Sequence, residues 1–292
     1  VQVLGGAVTR QIPMFLEHDL TFTAPSIDKL RQIDDAAGAA GVRATAHLKI
    51  DTGMERIGVH HHHAAGLFEA AAVCASVDIV GVFSHFANSD VADLTDARMQ
   101  LDWFLEALEF YPRNGLATPQ RHISNSAAIA QLPEAHLDLV RPGILSYGVY
   151  PSPETCATIE VEPALSWLSE VIYFKVVAAC QPVSYGSSWS PSRQTRVITL
   201  PVGYADGYTR ALSNRGEVLV GDQRLPVVGR VCMDQTMVDL GDGTAYNGDE
   251  VVLIGSSAAD RISVEDVARW ADTIPYEVLT SISSRVPRSY VG

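Results

Sequence analysis

The sequence predicts two unlike halves, an α/β barrel-type domain followed by a mostly β domain. In the first half, apolar runs of strand length alternate with segments of helical periodicity, which is typical of parallel strands covered by helices. Polar residues follow one apolar run after another, and in a (β/α)8 barrel such positions share one mouth. Beyond a linker-like stretch at Pro151–Pro163, short strands separated by turns take over. We therefore expect a barrel domain over 1–155 and a β-domain over 156–292.

The first half contains only six predicted strands, whereas a complete barrel needs about eight. Because the chain opens at Val1 inside a strand-like run, we expect the two absent βα units to be the first two of the barrel. Helices are predicted over Ser26–Ala37, capped by Ser26, and over Asp96–Tyr111. The six predicted strands are Val1–Leu4, Leu20–Thr23, Thr45–Ile50, Val77–Phe86, Arg121–Ser124 and Leu137–Val140.

The second half is predicted to be largely antiparallel and to end in two short helices. Ser263, with Asp266 three positions later, predicts the start of the first of these helices. The predicted strands are Ser166–Ala178, Arg196–Val202, Glu217–Val220, Leu225–Cys232, Met237–Leu240 and Glu250–Ile254.

The composition narrows the class of protein. A formal net charge of −13 and a pI near 5.0 argue against binding to a nucleic-acid backbone and suit a small-molecule ligand. The four cysteines lack disulfide or zinc spacing, so we expect a reducing cytoplasm. No apolar run has the length of a membrane span. The histidine run His60–His63 precedes an alanine-rich helix and is interpreted as a solvated helix start, with no metal expected.

A candidate site is concentrated between Pro182 and Gln235. Three apolar runs there end in side chains capable of chemistry, and glycines flank the two tyrosines, where a backbone can approach a ligand closely. A plain β-domain would not gather tyrosines and acids at its turns. The side chains are Tyr185, Tyr204, Asp206, Cys232, Met233 and Asp234.

Four polar stretches of the first half could face them at the predicted barrel mouth. In HLKIDTGMERIG, Arg56 could reach a carboxylate or phenolate, or could simply pair with Asp51. His85 ends a strand, although a lone histidine is more often a packed core residue. Arg141 follows an apolar strand and needs a partner, either an acidic neighbour or a cofactor ring nitrogen.

The fourth stretch is RHISNSAA, in which Asn125 and Ser126 precede an alanine-rich helix. The backbone N–H groups at the start of such a helix can bind an anion. Capping of the helix by Asn125 or Ser126 is the competing interpretation.

Together these stretches resemble the alanine racemases, pyridoxal-phosphate (PLP) enzymes with an N-terminal barrel and a C-terminal β-domain. The resemblance extends over essentially the whole chain, with the motifs in family order and Glu55 where the family usually has glycine. The motifs are HLKIDTGMERIG, SHFANSD, HISNSAA, VRPGILSYG, VSYG, GYADGY, GRVCMDQ, PYEV and RVPRSY.

The resemblance implies roles for cofactor-binding residues. Arg141 matches the arginine that faces the PLP pyridine nitrogen, and His85 matches its hydrogen-bonded neighbour. Arg56 matches the arginine that contacts the phenolic oxygen of PLP and the substrate carboxylate. Lys49 matches a lysine that is carbamylated in many members and then steadies that arginine. The residues that match the phosphate cradle are Asn125, Ser126, Gly143, Ile144 and Tyr276.

The resemblance also implies which residues handle the substrate. Tyr185 matches the catalytic tyrosine, which enters the site from the partner subunit, so a homodimer is implied. Met233 matches a residue that offers its backbone N–H to the substrate, and Tyr204 one that narrows the entrance. Because the phenol of tyrosine titrates near 10, Tyr185 can act as a base only if its neighbours lower its pKa.

The Schiff-base lysine, which would be the base on the opposite face, is absent from this sequence. The family carries it in a motif resembling KANAYGHG after the first barrel strand, and none of Lys29, Lys49 and Lys175 lies in such a motif. We expect the lysine in the same segment as the absent strands. The implied function is PLP-dependent interconversion of L- and D-alanine for peptidoglycan. The alternatives are a racemase for serine or a broader set of amino acids, or a non-catalytic remnant of the fold.

Overall fold

The computed structural model describes residues 1–156 and 159–291. The chain forms two compact units, the first comprising Val1–Leu145 and Pro151–Glu160 and the second Ser146–Tyr150 and Val161–Gly292. The first is an α/β, barrel-like unit, and the second is rich in β-strands. No helix in the described ranges is long and apolar enough to cross a membrane.

The first unit is built on parallel strands that follow one another in the sheet in chain order. β1, β2, β4 and β5 form one path, and β3 pairs with the end of β2. β2 is buried along nearly its whole length, as expected of a central strand covered on both faces. The elements are α1 (Ile12–Glu17), β1 (Phe22–Ala24), α2 (Ile27–Ala40), β2 (Ala44–Asp51), β3 (Val59–His60), α3 (Ala64–Ala72), β4 (Val77–Phe83), α4 (Thr95–Leu108), α5 (Phe110–Arg113), β5 (Gln120–His122) and α6 (Ser126–Gln131).

The predicted helix after Pro25 is confirmed. The Ser26 hydroxyl accepts a hydrogen bond from the backbone N–H of Lys29 at 3.1 Å, and α2 ends at Gly41 with φ +67°. Leu30, Ile33 and Ala37 form its buried face toward the sheet. This N-cap and left-handed C-cap are the usual solutions for the unpaired groups at helix ends.

Two of the six predicted strands of this half do not form as such. Leu137–Val140 forms no strand, because Leu137 has φ +49°. The segment is held beside β5 by the bond from Asp138 N–H to Arg121 O and by the ion pair between Arg121 and Asp138. Val1–Leu4 makes one parallel pair, Gln2 with Thr21.

The second unit contains the predicted β-domain in three-stranded and five-stranded sheets. The smaller sheet has the order β11-β8-β7 and is antiparallel, while β10, β9, β12, β13 and β6 form the larger one. The elements are β6 (Trp167–Glu170), β7 (Tyr173–Val177), β8 (Thr195–Leu200), β9 (Glu217–Val220), β10 (Gln223–Pro226), β11 (Thr236–Gly241), β12 (Glu250–Ser256), β13 (Arg261–Ile262), α7 (Val264–Ala271) and α8 (Pro275–Ser281).

Two strand predictions in this half were too long, and one helix start is confirmed. The predicted strand Ser166–Ala178 is two strands that belong to different sheets. The predicted strand Leu225–Cys232 ends at Pro226, which cannot donate to a ladder. The start of α7 forms as predicted, since the Ser263 hydroxyl accepts from the Asp266 N–H at 3.0 Å.

Candidate active site

Arg141 is the centre of the polar cluster in the first unit. Its backbone N–H donates to the Ser124 carbonyl at 3.1 Å, which holds the residue just beyond the end of β5. The guanidinium Nη1 lies 2.5 Å from Nδ1 of His122. Nη2 lies 3.2 Å from Nδ1 of His85 and donates to the carbonyls of Ser84 at 2.8 Å and Ile123 at 3.0 Å. The predicted meeting of Arg141 and His85 is therefore observed.

The partners of this guanidinium are two imidazoles and two backbone carbonyls, and none of them is a carboxylate. Burial lowers the pKa of Arg141 to about 10, which still leaves the group charged at neutral pH. A buried cation without an acidic partner is costly unless a ligand compensates it. None of the four bonds uses Nε, so that N–H remains available to an acceptor.

His85 is half-buried, and its Nδ1 contacts Arg141. Burial, followed by the charges of Arg141, Arg56 and Lys49, lowers the pKa of its imidazole to about 4. The ring is therefore neutral at physiological pH. Because arginine only donates, Nδ1 of His85 must accept, and the ring proton lies on Nε2.

Lys49 lies on β2 with 3% of its surface exposed, and its ammonium donates to the Ile50 carbonyl at 2.6 Å. Burial, opposed by the charge of Asp51 and assisted by the charges of Arg141 and Arg56, lowers the pKa of Lys49 to about 8. Phe83 lies between the cations, with its ring centre 5.5 Å from the Lys49 nitrogen and 5.4 Å from the Arg141 guanidinium carbon. At neutral pH an appreciable fraction of this amine is unprotonated.

Arg56 is exposed in the loop after β2. The ion pair with Asp51 is not formed in the part of the chain that the structure describes. The Asp51 carboxylate instead accepts the backbone N–H groups of Gly53 at 2.8 Å and Glu55 at 3.2 Å. Glu55 itself has φ +54°, a left-handed conformation that favours glycine.

At α6 the capping alternative is observed for Asn125, whose side-chain oxygen accepts from the Ala128 N–H at 3.0 Å. The Ser126 hydroxyl accepts from the Leu145 N–H at 3.3 Å, which brings the segment 143–145 beside the start of α6. A Cβ on Gly143 would lie 3.5 Å from the Ser126 hydroxyl. Ser126 and Ile144 are buried, while Gly143 is exposed.

Sequence reasoning missed His47 and His122. Nδ1 of His47 on β2 lies 2.8 Å from Nε2 of His122, and the Phe83 ring stacks on His122 with centroids 4.8 Å apart. The sequence did contain one indication of His47, because side chains alternate between the two faces of a strand and His47 therefore shares a face with Lys49 and Asp51. His122 is buried and follows β4 by almost forty residues, so no local pattern connects it to Arg141.

In the second unit, the three predicted stretches between Pro182 and Gln235 do meet. The Ser184 hydroxyl lies 3.7 Å from the Cys232 sulfur, and Tyr204 N–H donates to the Cys232 carbonyl at 3.0 Å. Tyr185 is 72% exposed and follows Ser184, whose φ is +68°. Tyr185 and Lys175 line an open cavity of about 430 Å³.

Tyr204, Met233 and Tyr276 are also exposed. The Met233 carbonyl accepts from the Ala205 N–H at 3.0 Å, whereas the Met233 N–H donates to no other residue within 1–156 and 159–291. Tyr276 lies in α8, where its carbonyl accepts from the Thr280 hydroxyl at 2.8 Å.

Fold and site together define a class of protein, an α/β barrel-like unit joined to a β-rich unit, with a cationic cluster at strand ends that suits an anionic ligand. Residues 1–151 match the family "Alanine racemase, N-terminal domain", and residues 164–290 match "Alanine racemase, C-terminal domain". The chain belongs to the alanine racemase family.

Individual relatives agree with this assignment. The chain is 45% identical to the alanine racemase of Carboxydothermus hydrogenoformans, covering 100% of this chain and 79% of the relative. It is 41% identical to alanine racemase 2 of Caldanaerobacter subterraneus, covering 100% and 76%. The crystal structure of alanine racemase from Streptomyces lavendulae superposes with a TM-score of 0.92 at 38% identity, covering 100% of this chain and 77% of that one.

Alanine racemases depend on PLP. An alanine racemase structure from Bartonella henselae, described with covalently bound pyridoxal phosphate, superposes with a TM-score of 0.89 at 28% identity. That match covers 99% of this chain and 78% of the other.

Proposed function

We propose that this protein interconverts L- and D-alanine with PLP and so supplies D-alanine for peptidoglycan. The observation that carries the proposal is the environment of Arg141. A partly buried guanidinium that is held by two neutral imidazoles and two carbonyls keeps its Nε–H for a ligand acceptor, and none of these four partners is a carboxylate.

The residues fit the pyridine end of PLP. Arg141 would donate its Nε hydrogen to the ring nitrogen without giving up the proton, because its pKa of about 10 lies far above that of a pyridinium. When bound, PLP stabilises the negative charge that develops at Cα of the substrate, and a ring nitrogen that is not fully protonated favours return of a proton to Cα. His85 and His122 keep the guanidinium in place by accepting from its outer nitrogens.

The phosphate end would be held by Asn125, Ser126, Gly143, Ile144 and Tyr276. Support comes from the closeness of Ser126 to the segment 143–145, where a glycine leaves the backbone accessible. The Asn125 side chain caps α6, so its contribution to phosphate binding would come from the backbone.

Arg56 would bind the phenolic oxygen of PLP and the substrate carboxylate, and Lys49, once carbamylated, would steady Arg56. A buried amine whose pKa is about 8 is partly neutral at physiological pH, and the neutral amine is the form that reacts with carbon dioxide. Carbamylation would turn Lys49 from a cation beside Arg56 into an anion that could pair with it. The exposed position of Arg56 keeps its guanidinium accessible to a ligand.

Tyr185 would remove or return the proton on one face of the substrate, acting in the site of a partner subunit in a homodimer. Its exposure supports this role, because a phenol on the surface can reach another chain. The Nε2–H of His85 would donate to the phenolic oxygen and favour the phenolate. Met233 would offer its unused backbone N–H to the substrate, and Tyr204 would narrow the entrance.

Several expectations from the sequence stay predictions. They are the domain boundary at 155/156, the cytoplasmic location, and the position of the Schiff-base lysine and the first two βα units, which are expected in sequence before Val1. Of the three lysines, Lys29 donates to Gln32 at 2.6 Å, Lys49 is buried in the first unit, and Lys175 lies on β7. Reading the gene upstream of Val1 for a KANAYGHG-like segment tests the last expectation.

The activity is tested with the full-length gene product in D2O. L-alanine should exchange its α-hydrogen and give D-alanine only when PLP is present, and serine should be racemised more slowly in competition. A matched control is His136→Gln, which alters a histidine whose ring bonds to the Ile129 carbonyl and, within 1–156 and 159–291, to no residue of the proposed site. Absence of exchange by protein that has bound PLP would refute the proposal. Faster racemisation of serine than of alanine would instead support the alternative of a serine racemase.

A further inference from the structure

His47 has no role in the function proposed so far, yet it contacts His122, which is a partner of Arg141. It lies on β2, and His122 lies at the end of β5, with β4 between the two strands. At the level of the two rings β4 carries Gly81, where a Cβ would lie 2.1 Å from Nδ1 of His47. Any larger residue at 81 would displace the ring, so the glycine is what allows the two histidines to meet.

The donor and acceptor in each hydrogen bond from Arg141 through His122 to His47 follow from the chemistry of Arg141. A guanidinium has donors and no acceptor, so Nδ1 of His122, 2.5 Å from Nη1, must accept and carries no proton. A neutral imidazole has one N–H, which then lies on Nε2 of His122 and points at Nδ1 of His47, 2.8 Å away. Nδ1 of His47 must therefore accept as well, and the proton of His47 lies on Nε2.

The electrostatics keep both rings in this neutral form. Burial and then the charge of Arg141 lower the pKa of His47, and the same causes lower the pKa of His122 to about 3, with smaller effects from His47 and Lys49. At neutral pH neither ring gains a second proton, which on His122 would face Arg141 and on His47 would face His122. Phe83 stacks on His122 and leaves the ring little freedom to turn.

We propose that His47 is a positioning residue, which holds His122 in its Nε2–H tautomer and through it orients the Arg141 guanidinium. Without an acceptor at this point, the buried Nε2–H of His122 would be unpaired. The His122 ring would then turn or take the other tautomer, and either change removes the shortest partner of Arg141. The effect on catalysis rests on the proposed function, whereas the proton positions do not.

The proton positions are tested by neutron diffraction from crystals of the PLP-loaded full-length protein. The expected result is a deuteron on Nε2 of both His47 and His122 and none on either Nδ1. A deuteron on Nδ1 of His122, or on Nδ1 of His47, would overturn the inference whether or not the protein racemises alanine.

The role of His47 is tested by a matched pair of variants in the full-length protein. His47→Asn places an oxygen acceptor the same number of bonds from Cα as Nδ1, and His47→Leu places a carbon there. We expect His47→Leu to lower kcat by roughly 10- to 100-fold, as for other residues that orient a ligand-binding side chain, and His47→Asn to recover most of that loss. The ¹⁵N shifts of His122 should stay those of the Nε2–H tautomer in His47→Asn and change in His47→Leu.

His136→Leu is the control, because this histidine is also partly buried and its ring bonds to the Ile129 carbonyl, away from Arg141. Equal losses in His47→Asn and His47→Leu, with unchanged His122 shifts, would show that His47 only fills space and would overturn the proposal. If His47→Leu does not fold, the neutron result and the comparison of His47→Asn with wild type still decide the question.

Discussion

Replacing Lys49 by methionine should stabilise the protein at neutral pH although it removes a proposed functional group. The amine is 3% exposed and its pKa falls from 10.5 to about 8 on folding, so burying its charge opposes folding. The unfolded chain binds more protons than the folded one between these two values. The destabilisation is therefore complete below about pH 8 and fades as the pH rises toward 10.5.

The two pKa values give the size of the effect. The charge costs about 3.3 kcal/mol at pH 7 and about 1.4 kcal/mol at pH 9.5. The advantage of Lys49→Met over wild type in the free energy of unfolding should therefore shrink by about 2 kcal/mol between these pH values. Effects that do not depend on pH, such as changed packing, cancel in this difference.

The assay is urea unfolding at both pH values in buffer free of carbon dioxide, so that the amine stays unmodified. Lys175→Met is the control, because Lys175 is exposed on β7 and its replacement should show no such change with pH. An advantage of Lys49→Met that is equal at pH 7 and pH 9.5 would refute the reasoning about the buried charge.

Two further predictions concern loops. Glu55→Gly should raise the free energy of unfolding by about 0.5–1 kcal/mol, because glycine relieves the left-handed backbone at φ +54° and loses only an exposed contact with His60. Chemical denaturation measures this change, and an unchanged or lower stability would contradict the prediction. Arg285→Gln should raise KM for alanine several-fold with little change in kcat. Arg285 bonds to Asp234 at 2.6 Å and approaches Asp206 at 3.5 Å. Asp234 lies in the loop that carries Met233, and Asp206 lies in the loop that carries Tyr204. Steady-state kinetics test this, with Arg288→Gln as the control, and a fall in kcat at constant KM would count against it.

The sequence predicted those parts of the fold that depend on local pattern. Continuous apolar runs identified β2 and β4, and the cap at Ser26 identified α2. Prediction failed where long-range pairing decides the outcome. The apolar run from Ser166 to Ala178 does not reveal that its two ends pair with different sheets, because alternation marks a face and not a partner.

The same division holds for the candidate site. Arg141 and His85 could be predicted to meet because both were placed at the mouth of one predicted barrel and the resemblance paired them, although the strand predicted before Arg141 does not form. His47 and His122 could not, because they are 75 positions apart and their contact depends on the missing side chain of Gly81. The motif that contains Asn125 did not reveal the state of its side chain, which caps α6 by accepting from the Ala128 N–H.

The proposed reaction has a separate base on each face of the substrate, and Tyr185 is the residue proposed as one of these bases. Its most direct test is the rate at which the full-length Tyr185→Phe variant, loaded with PLP, exchanges the α-hydrogen of L-alanine and of D-alanine in D2O. The account predicts that exchange from one enantiomer falls far more than exchange from the other, while Tyr204→Phe affects both alike. Equal losses for the two enantiomers in Tyr185→Phe would contradict it.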